Sequence, residues 1–309
     1  MSYLARKKTS KILILGLAKS GKSTIIRVVT EGKIPSKDDS YHATIDYERK
    51  QKVIAGTELT IFDLGGQTAF LDRFTGELSE FIFSGVKSLV FVVDSIEIKD
   101  ISRAKYYLDL SLKKLKQFSP EATIFIFQHK TDLIPRKLKD EVRKTINDYL
   151  SSGVTQSTKY FSTSVFDDSI FRAMGDVYAE ASGARKTLRP LLETFIRHNG
   201  ADMAQIFTKE GAPLTKVNNV SRFDHITLSE VKEFFDAVVE RLSASENQKS
   251  TSILIESDRR VFIIRFMESG LALFFGFPKD LLREKNEQIP SLYNKVLAFS
   301  SQLKSMIES

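Results

Sequence analysis

Cysteine is absent from the 309 residues. That excludes a disulfide framework, a thiolate metal site and a cysteine nucleophile. Histidine is scarce. His42, His129, His198 and His225 lie far apart and share no metal-ligand spacing, which argues against a zinc enzyme. No stretch approaches the roughly 18 apolar residues of a membrane span. Residues 1–10 lack the apolar core of a signal peptide, because the apolar run that starts at Ile12 is only a strand long. Position 2 is Ser, so myristoylation is excluded, and without Cys there is neither prenylation nor palmitoylation. The expectation is a cytoplasmic protein with no transmembrane segment or lipid anchor, held at any membrane by something else.

What is present is ordinary globular composition, 42% hydrophobic and 28% charged, at about twice the usual single-domain length. Two domains are expected. The net charge of +7 is uneven: from Leu188 onward bases and acids balance, so the excess lies in the first part of the chain. A basic first domain suits a polyphosphate ligand or an acidic membrane surface, and no nucleic-acid partner is expected. Lys113, Lys114 and Lys116 read as the solvated face of a helix, and Arg6-Lys7-Lys8 as a solubilising tail.

Residues 11 to about 183 alternate apolar β-runs with helical patterns. The runs are Ile12–Leu15, Leu59–Phe62, Leu89–Val93, Thr123–Phe127 and, more weakly, Lys159–Phe161. Helices are expected at 22–31, 68–83, 101–118, 137–151 and 168–182, and an extra strand at 46–54 entering by a hairpin around Gly56. This order means βαβ units and a mostly parallel sheet. A second pattern follows: a helix at 188–198, a hairpin of Met203–Phe207 and Pro213–Val217 around Lys209-Glu210-Gly211, a helix at 227–242 capped by Thr227, three short strands at 251–256, 261–266 and 270–276, and a helix at 289–307. That is α+β order. The domains divide as 1–185 and 186–309.

Gly16-Leu17-Ala18-Lys19-Ser20-Gly21-Lys22-Ser23 matches G-x-x-x-x-G-K-[ST], after a strand and opening a helix. A triphosphate needs many converging N–H donors, and a glycine-rich turn at a helix N-terminus supplies them. Lys19, Ser20, Gly21 and Thr24 belong to this cradle. Lys22 reaches the β- and γ-phosphates, and the Ser23 hydroxyl is short enough to sit on Mg²⁺.

Asp63-Leu64-Gly65-Gly66-Gln67 directly follows a second strand. Asp63 can hold Mg²⁺ through water, Gly66 lets a backbone N–H approach the γ-phosphate, and Gln67 is placed to orient the attacking water. Thr44, with Thr30 as its rival, is the candidate to complete the Mg²⁺ shell, because Ala43-Thr44-Ile45-Asp46 immediately precedes the strand that pairs with the Asp63 strand. Two loops, about 33–46 and 64–84, would then be held by one phosphate group and released on its loss. After a further strand comes His129-Lys130-Thr131-Asp132. Lys130 would lay its stem on a planar base, and Asp132 would accept from guanine N1–H and the 2-amino group. Adenine lacks both donors, and sites built on such pairing reject the wrong ligand by roughly 10⁴–10⁵. Ser164 and Val165, after the next strand, could offer backbone N–H groups to guanine O6.

This order of motifs resembles a small GTPase, and the chain is similar to the Rag family, with an Arf-like trait in Asp63–Gln67. Three stretches carry the resemblance: His42-Ala43-Thr44-Ile45-Asp46-Tyr47-Glu48, His129-Lys130-Thr131-Asp132 with His where most small GTPases carry Asn, and Thr163-Ser164-Val165-Phe166-Asp167. Leu191–Asp202 and the hairpin through Lys209-Glu210-Gly211 resemble the start of the C-terminal roadblock domain of that family. The resemblance implies a P-loop G domain followed by a roadblock-like domain. It also implies GTP and GDP binding with Mg²⁺, hydrolysis aided by an activating protein, exchange proteins, dimerisation through the second domain and recruitment by a membrane scaffold. Whether the dimer is homo- or heteromeric stays open. Ala18 and Lys19 stand where many small GTPases carry glycine, so activation is expected to rely on positioning Gln67 more than on an arginine inserted beside Ala18.

The second domain holds no convergent acid, base or nucleophile. Ile289, Leu292, Val296, Phe299, Leu303 and Met306 form one apolar stripe, read as packing on its own sheet, and Phe274-Phe275 as core. Glu256 and Asp258 beside Arg259-Arg260 read as a charged hairpin. The leading reading is a slow GTPase switch; the alternative is a nucleotide-loaded, non-switching scaffold subunit, opposed by the intact Gln67 and Thr44. A P-loop ATPase or kinase is disfavoured by Asp132.

Overall fold

The computed structural model describes residues 9–31, 35, 44, 46–54, 57–152, 157–167, 169–208, 211–218 and 252–308. The helix expected at 227–242 with its Thr227 cap, the hairpin tip at Gly56, the Lys209-Glu210 turn and most of the 33–46 loop lie outside them. Contacts divide the chain into two compact units, one ending at Ala181 and one running from Ser182, with the short stretch 53–56 grouped with the second.

The first unit is built on a six-stranded sheet of order β2-β3-β1-β4-β5-β6. Its strands are β1 (Thr9–Leu15), β2 (Tyr47–Ile54), β3 (Thr57–Leu64), β4 (Val86–Asp94), β5 (Thr123–His129) and β6 (Thr158–Thr163). β1 runs parallel to β3 and β4, β4 to β5, and β5 to β6. Ile12–Leu15 and Leu89–Val92 are buried on both faces, as strands between helix layers must be. The helices are α1 (Lys22–Glu31), α2 (Thr68–Thr75), α3 (Ser79–Phe83), α4 (Ile101–Phe118), α5 (Lys139–Ser151) and α6 (Ser169–Ser182). One helix was expected over 68–83; there are two. The Gly76 N–H turns back onto the Asp72 carbonyl, 2.8 Å away, at φ −99° and ψ −109°, which ends α2. Leu71, Phe74, Ile82 and Phe83 bury the apolar sides of both pieces in one core with Leu108, Leu112 and Leu115 of α4.

Parallel strands place all their C-terminal ends on one side. The loops after β1, β3, β4, β5 and β6 therefore emerge together, and the crevice lies where β1 parts towards β3 on one side and β4 on the other.

In the second unit, α7 (Ala184–Asn199) follows Gly183 at once and runs through Pro190, starting four residues before the expected position. A five-stranded sheet has the order β8-β7-β11-β10-β9, from β7 (Met203–Thr208), β8 (Pro213–Asn218), β9 (Ser252–Glu256), β10 (Arg260–Phe266) and β11 (Leu271–Pro278). Every neighbouring pair is antiparallel. After α8 (Lys279–Glu284) comes α9 (Ile289–Glu308), whose Leu292, Val296, Phe299 and Leu303 are buried. The rings of Phe195, Phe275 and Phe299 meet at centroid distances of 4.5 to 5.5 Å, joining α7, β11 and α9.

Candidate nucleotide-binding site

The loop Gly16–Gly21 leaves the buried end of β1 and turns into α1. Gly21 adopts φ +98°, and a β-carbon there would lie 2.5 Å from His129 Cδ2, so this position is closed to any side chain. Lys19 holds φ 65°, a left-handed conformation that glycine would take without strain. Lys22, Ser23 and Thr24 form the first turn of α1. The Lys22 ammonium donates to the carbonyl oxygens of Gly16 and Leu17, both at 2.9 Å. Burial brings its pKa down to about 8, against the pull of the Asp63 carboxylate. Ser20 Oγ is buried with no hydrogen-bond partner among the described residues.

Three oxygen-bearing side chains from three separate segments meet beside this loop. Ser23 Oγ lies 2.8 Å from Thr44 Oγ1, and Thr44 Oγ1 lies 3.5 Å from Asp63 Oδ2. Asp63, at the end of β3, is almost fully buried, and its Oδ1 has no hydrogen-bond partner among the described residues. Burial raises its pKa, with the Ser23 hydrogen bond and Lys22 pulling the other way. A hard-oxygen set with an orphaned carboxylate oxygen fits Mg²⁺. The rival Thr30 is elsewhere: its hydroxyl donates to the Ile26 carbonyl within α1.

Gly66 closes over the phosphate loop. Its carbonyl accepts from the Ala18 N–H at 2.7 Å, and a β-carbon on it would lie 2.5 Å from Lys22 Nζ and 2.4 Å from the Leu17 carbonyl carbon. Gly65 N–H donates to the Asp46 carbonyl, 2.8 Å away. Gln67 follows at the N-cap of α2, with its side chain exposed.

After β5, His129 is 2% exposed, rests against Gly21, and places Nδ1 3.0 Å from Thr163 Oγ1. Burial and the neighbouring Lys130 bring its pKa down to about 4, so the ring is neutral. It does by packing what an amide side chain would do by hydrogen bonding: it ties the base loop to the phosphate loop and to the end of β6. Lys130, at φ 64°, donates to the Lys19 carbonyl at 2.7 Å and to Asp94 Oδ2 at 2.6 Å. Asp94 is a site residue that the sequence did not announce. Its signal was an acid at the end of the buried strand β4, the same placement that made Asp63 stand out. Asp132 is exposed in a short 3₁₀ turn. In the β6 loop Ser164 differs from expectation, because its N–H is already given to Ser169 Oγ at 2.9 Å; Val165 beside it is buried.

The family description "Gtr1/RagA G protein conserved region" matches residues 11–247. The chain belongs to the Gtr1/RagA family of G proteins. Among relatives, GTP-binding protein gtr1 of Schizosaccharomyces pombe is 26% identical over 85% of this chain and 87% of its own length. Ras-related GTP-binding protein A of Dictyostelium discoideum is 26% identical over 77% of this chain and 79% of its own. Human Ras-related GTP-binding protein C is 29% identical over 64% of this chain and 50% of its own. This Rag-type chain is thus a GTP-binding protein in a family of GTP hydrolases, with a G-domain sheet followed by a second, antiparallel sheet. Among the described residues no helix is long and apolar enough to cross a membrane.

Proposed function

We propose that this Rag-type protein is a GTP/GDP switch with slow intrinsic hydrolysis. The observation that carries the reading is the meeting of Ser23, Thr44 and Asp63 beside Lys22. Ser23 and Thr44 would hold Mg²⁺ directly and Asp63 through water; the ion, when bound, would neutralise charge on the phosphates. Lys22 and the N–H groups of Lys19 to Thr24 bind the phosphates. The exposed Gln67 orients the attacking water. Among the described residues the site offers no general base, which suits phosphoryl transfer that depends on positioning. Asp132 accepts from guanine, the Lys130 stem covers one face of the base, and Val165 closes the pocket with its amide.

On loss of the γ-phosphate, Gly66 and Thr44 lose their common anchor, so the segments that carry them are released together. Dimerisation is assigned to the second unit. Support comes from β9, an edge strand of this sheet among the described residues, where Leu254 is 42% exposed. Activating and exchange proteins, and a scaffold at a membrane, follow as partners from family membership.

The test measures the nucleotide content of the purified protein, then its exchange and single-turnover rates. A switch exchanges nucleotide and hydrolyses GTP slowly, and Gln67→Leu lowers hydrolysis while leaving binding intact. Nucleotide that neither exchanges nor turns over would instead make the chain a permanently loaded scaffold.

A further inference from the structure

Helix α2 carries Gln67 at its start, yet it has only eight residues and no side-chain cap at its N-terminus. A helix this short is not stable alone, so its position is dictated from outside. Leu71 and Phe74 supply apolar anchorage, but both lie beyond the first turn. A polar hold on α2 comes from α4. Tyr107, 4% exposed, donates its phenol proton to Asp72 Oδ1 at 2.8 Å.

Asp72 lies five residues after Gln67 in the same two-turn helix, so what holds Asp72 bears on the placement of the whole helix. The Tyr106 ring packs edge-on against Tyr107 at 5.1 Å and steadies it. Burial, then Asp72, pushes the Tyr107 pKa up to about 12, so the phenol keeps its proton at physiological pH. The other polar tie to α2, Arg73 Nη1 to Asp46 Oδ1 at 3.5 Å, is between half-exposed groups and contributes little.

We propose that Tyr107 is a positioning residue for GTP hydrolysis: its hydroxyl, hydrogen-bonded to Asp72, fixes the placement of α2 and thereby the backbone from which Gln67 projects. It acts through α2. This inference rests on the reading that Gln67 orients the attacking water.

The test uses the full chain in single-turnover GTP hydrolysis. Tyr107→Phe keeps the buried ring and removes only the hydroxyl. Hydrolysis should fall about five- to tenfold, the scale of one ordinary lost hydrogen bond. Affinities for GTP and GDP should stay within about twofold, since the interaction acts on the chemical step. Asp72→Ala should reproduce the loss, whereas Asp72→Asn, which keeps an acceptor oxygen, should restore most of the rate. In a Gln67→Leu background Tyr107→Phe should cost nothing further, a silence that simple destabilisation would not produce. If Tyr107→Phe hydrolyses at the parental rate while Gln67→Leu is impaired, the inference is overturned and the switch reading stands. A full additional loss on top of Gln67→Leu overturns it too. Gln67→Leu at the parental rate removes the reading beneath it.

Discussion

At the scale of single residues, the site is governed by which groups burial forces to stay neutral or to find a partner. His129 is the clearest case. Its native pKa of about 4 lies below the ordinary value of 6.5, so the unfolded chain binds a proton that the native ring refuses. The native advantage is complete above about pH 6.5 and is lost as the pH falls towards 4, a total on the order of 3 kcal/mol. His129→Asn can still hydrogen-bond Thr163 but does not titrate. Urea unfolding across that interval should show a flatter pH dependence for the variant than for the parent; equal slopes would show that His129 is not the titrating group. Thr44 and Thr30 make a second test. Thr44→Ala should raise the Mg²⁺ concentration needed for tight GTP binding, whereas Thr30→Ala, whose hydroxyl serves only its own helix, should not. Titration of Mg²⁺ against bound nucleotide measures both.

The phosphate loop was legible in the sequence because its chemistry is confined to eight contiguous residues, Gly16 to Ser23. Thr44 was harder, since a hydroxyl in a loop has no signature until it stands beside Ser23. Asp94 carried only the faint signal of an acid at a strand end, and Tyr107 carried none. Their partners, Lys130 and Asp72, lie 36 and 35 residues away, and only the folded sheet brings them together.

At the scale of elements, the parallel strands and their order of helices could be read from apolar runs, because strands buried on both faces cannot afford polar residues. Boundaries were less visible. Apolar spacing continues across 68–83 through Leu71, Phe74, Ile82 and Phe83, and the break falls on Gly76, whose amide caps α2. The segment ahead of α2 is tightly packed. Adding a methyl at Gly66 would push it against Lys22 and the main chain at Leu17 and Ala18. Gly66→Ala should therefore weaken GTP binding by about 1–3 kcal/mol, the usual cost of overpacking. GDP binding should change less, because the γ-phosphate is what Gly66 approaches. Competition titrations with the two nucleotides measure this; equal losses for both would place the damage in the phosphate loop as a whole.

At the scale of the whole molecule, the two units differ in kind. The first gathers titratable and polar groups at the C-terminal ends of its strands. The second commits its residues to packing, with the Phe195, Phe275 and Phe299 rings at its centre. Dimerisation assigned to that unit predicts that the full chain, alone or with a related partner, sediments as a dimer at micromolar concentration. Leu254→Lys, on β9, should shift it towards monomer without altering nucleotide affinity.

Both levels meet in one requirement: guanine and a magnesium-bound triphosphate must be recognised together by loops that the first sheet brings side by side. Calorimetric titration of nucleotide-free protein with GTP and with ATP, with and without Mg²⁺, tests this most directly. The account predicts that GTP is preferred by roughly 10⁴ or more and that its binding weakens when Mg²⁺ is chelated. Equal affinity for ATP, or GTP binding indifferent to Mg²⁺, would contradict it.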